Sequence, residues 1–234
     1  MVSHSLTRRD SRTHRARLAT PRRPLVWALA LFIVTFVLGF VAKATPTLRM
    51  AGVDVALNSF ASPFATTVAK ILDKLDKPTV VGGILVVVFI VLIPLVGWRR
   101  GLGTCVVTGL GWITTLPIKS IVAEPRPSFT DLPHEIHIHA ATLSYPSGHV
   151  VFVTALVTAL FFVSTRRFVR VVIFIVGGIF IVAVAWSRLY LGVHYTTDVI
   201  GGFVNGVAGV LLMAGLWNLV FARGKTTARP AAEK

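Results

Sequence analysis

Charge is scarce in this chain. Only 14% of its 234 residues are Asp, Glu, Lys or Arg, where a soluble domain of similar size carries roughly a quarter. Acidic residues are the rarest, nine against 24 basic ones, leaving a net charge of +15. A single cysteine, Cys105, excludes an intrachain disulfide, and its place in an apolar run marks it as a small packing residue. Six stretches hold no charged residue at all: Pro24 to Ala42, Pro78 to Trp98, Gly101 to Ile118, Val150 to Thr165, Val171 to Ser187 and Val199 to Ala222. Each approaches the ~17–25 residues that a helix needs to cross a bilayer. With 54% hydrophobic residues and a mean hydropathy of +0.77, the expected fold is all-α: a polytopic membrane helical bundle of six transmembrane helices, the fourth being the shortest.

The distribution of the basic residues sets the expected topology. If the N-terminus is cytoplasmic and six spans alternate, the inner segments are 1–23, 99–100, 166–170 and 223–234. They hold 16 of the 24 Lys and Arg residues, while seven of the nine acids fall outside. That is the positive-inside pattern. Residues 1–23 therefore read as a basic cytoplasmic arm, disordered and determining topology, and compatible with anionic lipid headgroups rather than nucleic acid. Residues 24–222 form the membrane domain, and 223–234 a cytoplasmic tail. Ala42-Lys43-Ala44 resembles a cleavage site, but the apolar run before it exceeds the ~7–15 residues of a signal peptide, which favours an uncleaved first helix. In the first outer loop, Val53, Leu57, Phe60, Phe64, Val68, Ile71 and Leu75 recur every three or four residues. This predicts an amphipathic helix interrupted at Pro63, packed on the bundle, lying at the interface, or shaping a lateral lipid entrance.

The second outer loop, Glu124 to Tyr145, has three prolines and is expected to be irregular. Its His134, His137 and His139 lack a nearby Asp or Cys set at ligand spacing, so they read as polar surface and no metal is expected. The chemistry lies beside this loop. Lys119 ends the third span and Arg126 follows it; Pro146-Ser147-Gly148-His149 opens the fourth; Ser187 and Arg188 close the fifth; His194 and Asp198 precede the sixth. Alternating spans bring all of these to one face. Arginine forks and a lysine suit phosphate oxygens, and act most where charge spreads in phosphoryl transfer. A helix start with a glycine and a serine favours an anion. A histidine four residues from a carboxylate can be held with its other nitrogen basic, the pairing expected of an activated nucleophile. Each feature alone is more often structural; their convergence at a membrane edge points to function.

Read in order, K-x6-R-P (Lys119, Arg126, Pro127), P-S-G-H (Pro146 to His149) and S-R-x5-H-x3-D (Ser187, Arg188, His194, Asp198) resemble the signature of the type 2 phosphatidic acid phosphatase superfamily, with every fixed position filled. The resemblance implies a metal-independent phosphatase that needs no cofactor. His194 would be the nucleophile forming a phosphohistidine, with Asp198 orienting it. His149 would protonate the leaving oxygen and then activate water, while Lys119, Arg126, Ser147, Gly148 and Arg188 would bind phosphate. The related soluble vanadium haloperoxidases are disfavoured by the six spans. The expected substrate is a lipid phosphate met at the outer face of a bacterial plasma membrane: a polyprenyl (undecaprenyl-type) diphosphate first, then phosphatidate or phosphatidylglycerophosphate. A non-enzymatic lipid-phosphate binder or transporter is the alternative, and intact His149, His194 and Asp198 count against it. Oligomeric state is not legible.

Overall fold

The computed structural model describes residues 16–49, 52–127, 133–134 and 143–222. Long apolar segments have no water to bond their backbone, so each closes its own hydrogen bonds as a helix. The order is α1 (Pro24–Ala44), a single turn at Pro46–Arg49, α2 (Val53–Ser59), α3 (Pro63–Leu72), a 3-10 turn (Asp73–Asp76), α4 (Pro78–Val96), α5 (Trp98–Ile113), α6 (Thr115–Val122), α7 (Gly148–Val163), α8 (Arg167–Tyr190) and α9 (Thr196–Ala222). The fold is all-helical: no β-strand occurs among the described residues, only an isolated bridge between Pro125 and Leu143.

Five helices are long and apolar enough to cross a membrane: α1, α4, the α5–α6 pair taken as one, α8 and α9. The sixth apolar run folds as α7, which has 16 residues and reaches about 24 Å at 1.5 Å per residue. It is the most enclosed of the six, with Val150, Val151, Phe152, Val153, Ala155 and Ala159 all buried. The third run, expected as one continuous span, is broken at Thr114. Pro117 is the cause, because it has no N–H for the Ile113 carbonyl four residues back. Beside the break, the Thr114 and Thr115 hydroxyls donate to the carbonyls of Gly111 and Trp112, each at 2.6 Å.

The residue 53–75 segment folds as two helices parted at 60–62, with Pro63 at the first position of α3, where its missing N–H costs nothing. The middle of the apolar stripe is not the face that packs. Asn58 and Ala69 are buried, whereas Phe60, Phe64 and Ile71 are 78%, 79% and 59% exposed. Ala69 sits against Tyr190, Leu191 and Val193, and the Thr66 hydroxyl lies 2.8 Å from that of Tyr190. Small and polar side chains attach the segment to α8, Phe60, Phe64 and Ile71 point away, and at its C-terminal end Leu72 and Leu75 pack against Val81, Val150 and Val184.

Of the segment expected as a disordered basic arm, residues 16–23 are described, and part of them packs on the bundle. Ala16 and Leu18 are buried. The Leu18 N–H donates to Asn218 Oδ1 at 3.0 Å, Asn218 Nδ2 returns a bond to the Leu18 carbonyl at 2.9 Å, and Trp217 Nε1 donates to the Ala16 carbonyl at 2.9 Å. Residues 16–20 are thus fastened by groups at the end of α9 that sequence spacing does not reveal. Residues 1–15 and 223–234 lie outside the described residues.

α9 is the central helix, packed on α1, α5 and α7. Glycines allow this approach: a Cβ at Gly209 would stand 2.6 Å from the Gly111 carbonyl oxygen of α5, and one at Gly206 2.9 Å from the Val151 carbonyl oxygen of α7. Without a hydrophobic drive between helices in lipid, such backbone proximity is what holds a bundle together. We expect Gly209→Ala to lose about 1–3 kcal/mol of stability, read as earlier thermal unfolding in detergent. Gly178→Ala, where a Cβ meets nothing within 4 Å, should leave the unfolding temperature unchanged.

Candidate active site

At one end of the bundle three cations, two histidines and a carboxylate meet. His194 does not lie on α9, contrary to the one-turn spacing expected of it. It occupies the turn between α8 and α9, because Asp198 is the third residue of α9 and reaches back over the helix start. The Asp198 Oδ2 atom accepts from the Tyr195 backbone N–H at 2.9 Å, and the Asp198 N–H donates to the Tyr195 carbonyl at 3.0 Å. The carboxylate thus supplies one half of a capping box, and this seats His194 Nδ1 3.1 Å from the same carboxylate oxygen. Both side chains are buried, at 2% and 0% exposure.

The other ring nitrogen faces the cations. Arg126 Nη1 lies 3.2 Å from His194 Nε2 and donates to the Val193 carbonyl at 2.7 Å. A guanidinium only donates, so Nε2 holds the lone pair and Nδ1 the proton, shared with Asp198. Burial first, then the charges of Arg126, Lys119 and Arg188 with His149 behind them, push the His194 imidazole well below its usual 6.5. The nitrogen that faces the guanidinium is therefore unprotonated at neutral pH.

Lys119, carried by α6 beyond the Pro117 break, donates to the carbonyls of Leu143 and Ser144 at 3.3 and 3.0 Å. It ties down the chain that leads into α7. Ser147 caps α7 without using its hydroxyl; its N–H donates to the Asp198 carbonyl at 3.0 Å. The Ser147 Oγ is buried and has no partner among the described residues. Gly148 begins the helix. His149 Nε2–H donates to the Asp73 carbonyl at 2.9 Å, and Arg188 Nη1 stands 3.3 Å from that nitrogen. Arg188, 1% exposed, is held along its length: Nε donates to Ser187 Oγ at 3.1 Å, Nη2 to the Ala69 carbonyl at 3.3 Å and Nη1 to Asp73 Oδ1 at 2.6 Å. All eight residues singled out by motif, Lys119, Arg126, Ser147, Gly148, His149, Arg188, His194 and Asp198, thus belong to one neighbourhood.

Sequence reasoning missed four members. The Ser144 hydroxyl donates to Asp198 Oδ2 and lies 3.3 Å from His194 Nδ1, so it helps hold the carboxylate; no spacing rule singles it out. Asp73, Asp76 and Trp112 come from the first outer loop and from mid-span. Trp112 Nε1 donates to Asp76 Oδ1 at 2.8 Å, and Asp76 Oδ2 lies 3.6 Å from His149 Nδ1. Burial pushes the Asp76 carboxyl up, against the Trp112 bond and the charges of Lys119, Arg188 and Arg126, which pull it down. Two acids three residues apart, just before an apolar run, were the available signal. His137 and His139 lie outside the described residues, and the His134 backbone pairs with Asn58 in both directions. Among the described residues no group of three or more His, Cys, Asp or Glu could hold a metal ion.

The geometry can be set beside known proteins. Phosphatidylglycerophosphatase B of Bacillus subtilis is 34% identical over 120 residues, which cover 49% of this chain and 57% of that protein. The undecaprenyl-diphosphatase of Sulfolobus acidocaldarius is 34% identical over 89 residues, covering 38% of this chain and 41% of that one. The chain thus spans about half the length of the curated relatives it matches. The crystal structure of a transmembrane PAP2 type phosphatidylglycerolphosphate phosphatase from Bacillus subtilis superposes with a TM-score of 0.67 at 25% identity, over 81% of this chain and 94% of that chain. The apolar helices make this a multi-pass membrane protein. Residues 100–223, which contain every motif position, match the family model of the PAP2 superfamily, and the chain belongs to that superfamily.

Proposed function

We propose that this protein is a membrane lipid phosphatase working through a phosphohistidine. The observation that carries this is the state of His194: Nδ1 on Asp198, and Nε2 with its lone pair among Arg126, Lys119 and Arg188. A binder or transporter has no need of an oriented, unprotonated imidazole in the midst of its cations.

In the proposed reaction His194 Nε2 attacks phosphorus, the N–P bond forms, and the P–O bond to the lipid breaks. With substrate bound, His149 is the imidazolium, its Nδ1–H on the side of Asp76; its Nε2 gives a proton to the leaving oxygen, which leaves the neutral ring. His149 then takes a proton from water as its oxygen attacks phosphorus, the N–P bond breaks, and inorganic phosphate leaves. Arg126, Arg188 and Lys119 stabilise the charge that spreads over the equatorial oxygens, and the α7 N-terminus with Ser147 holds the phosphate. No metal takes part in these steps.

The site sits where the apolar helices begin, so the tail of an amphiphile stays in the bilayer while its headgroup reaches the cations. We take α7 as the sixth span, both termini as cytoplasmic and the site as outward, on the positive-inside pattern. A polyprenyl diphosphate is the favoured substrate, in keeping with the diphosphatase among the relatives. Phosphatidylglycerophosphate is the second reading, favoured by the name of the superposed enzyme. A panel of lipids differing only in tail, or in mono- versus diphosphate head, separates the two.

His194→Ala should lower phosphate release from such lipids by about 10³-fold or more and abolish the acid-labile phosphoenzyme seen on rapid quenching; wild-type release from this variant would overturn the chemistry. The rate should be bell-shaped in pH. His194 must be neutral to attack, and its depressed pKa places the acid limb below 6.5; the alkaline limb, read in kcat, is loss of the proton that His149 carries in the complex with the anionic substrate. A rate that is flat from acid to alkaline pH would remove this assignment. EDTA should leave turnover intact, measured before and after adding back divalent metal.

A further inference from the structure

Asp73 and Asp76 lie outside residues 100–223, the part of the chain that the family model matches, yet their turn touches the groups that a phosphate would need. Asp73 Oδ1 is 2.6 Å from Arg188 Nη1, and the Asp73 carbonyl is 2.9 Å from His149 Nε2, the atom assigned to the leaving oxygen. Asp76 Oδ2 lies 3.6 Å from His149 Nδ1, and a Cβ on Gly148 would stand 2.5 Å from it, so this oxygen rests against the α7 helix start. A cavity of about 80 Å³ beside it is walled by Asp76, Trp112, Lys119, Gly148 and Leu116; Leu116 is 61% exposed.

We propose that the Asp73–Asp76 turn is a resident anion in the phosphate subsite, and that it sets a charge threshold: a terminal phosphate displaces it and a phosphodiester does not. The proposal rests on the phosphatase reading for its substrate but not for the exchange of anions. Its physical basis is the cost of burying charge. Arg188 is held inside the bundle and needs a counter-charge. Two carboxylates supply it, and their side chains are the accessible partners, at 24% and 29% against 1% for Arg188. A dianionic phosphomonoester or diphosphate terminus restores the two negative charges it removes. A monoanionic diester restores one, and leaves buried positive charge uncompensated. The distinction matters at this depth, because the site edge is bathed in phosphodiester headgroups. The carboxylates can yield without the backbone of the turn: Leu72 and Leu75 pack against Val81, Val150 and Val184, while the side chains of Asp73 and Asp76 stay partly exposed.

The test uses the full chain in detergent, with inorganic phosphate as the dianion and dimethyl phosphate as the diester monoanion. Binding is measured by calorimetry, and inhibition of lipid phosphate hydrolysis is measured separately. The pair of changes Asp73→Asn and Asp76→Asn should tighten dimethyl phosphate binding by about tenfold, ~1.4 kcal/mol, with a smaller gain for phosphate. Asp73→Glu with Asp76→Glu should restore wild-type discrimination. If the double variant unfolds, Asp76→Asn alone, whose amide oxygen still accepts from Trp112, should show the same direction. Unchanged or weaker binding of both anions in a folded Asn variant overturns the threshold and leaves the turn a structural ion pair. Tighter diester binding in a protein that releases no phosphate from any lipid would uphold the threshold and sink the phosphatase reading instead.

Discussion

Buried positive charge organises this protein. Lys119, Arg126 and Arg188 are placed where apolar helices end, and an uncompensated charge there costs several kcal/mol. Each is therefore met by the chain itself: Lys119 by the carbonyls of Leu143 and Ser144, Arg126 by that of Val193, Arg188 by Asp73 and the carbonyl of Ala69. These bonds join segments far apart in sequence. The loop before α7, the turn before α9 and the 3-10 turn before α4 are all drawn to the same three cations.

The two histidines differ because their surroundings differ. His194 is enclosed, has a carboxylate on Nδ1 and an arginine at Nε2, and so keeps its lone pair toward the site. His149 opens a helix beside Arg188 and gives its Nε2 proton to a carbonyl. One imidazole turns a lone pair toward the site and the other a donor. The same constraint shapes the scaffold. Hydroxyls of Thr114 and Thr115 cover the carbonyls at the Pro117 break, and the Gly111–Gly209 approach lets α5 and α9 close on each other.

Much of the fold was legible because lipid imposes a simple rule. A run without charge must become a helix, and six such runs are visible by eye; their helices start and stop within a few residues of the runs. The residues that meet at one end of the bundle were legible through three spaced motifs, and alternation of spans was enough to bring them together. What escaped was set by partners distant in sequence. The stripe at 53–75 has helical spacing, but spacing does not say which face packs, and the small residues rather than Phe60 and Phe64 turned inward. Residues 16–20 read as part of a basic arm until Asn218 and Trp217 are seen to hold their backbone. Ser144 is ordinary in sequence and gains its place only because the Leu143–Ser144 carbonyls are pinned by Lys119.

The sequence by itself determined the class of fold, the family and the residue types of the site, because hydrophobic run length and motif spacing are local properties of a chain. Tertiary structure decided the state of those residues: which nitrogen of His194 is free, where Lys119 spends its protons, and that Asp73 and Asp76 stand among the cations. These depend on burial and on charges brought together from separate helices, and no local pattern records the electrostatic field that such an assembly creates.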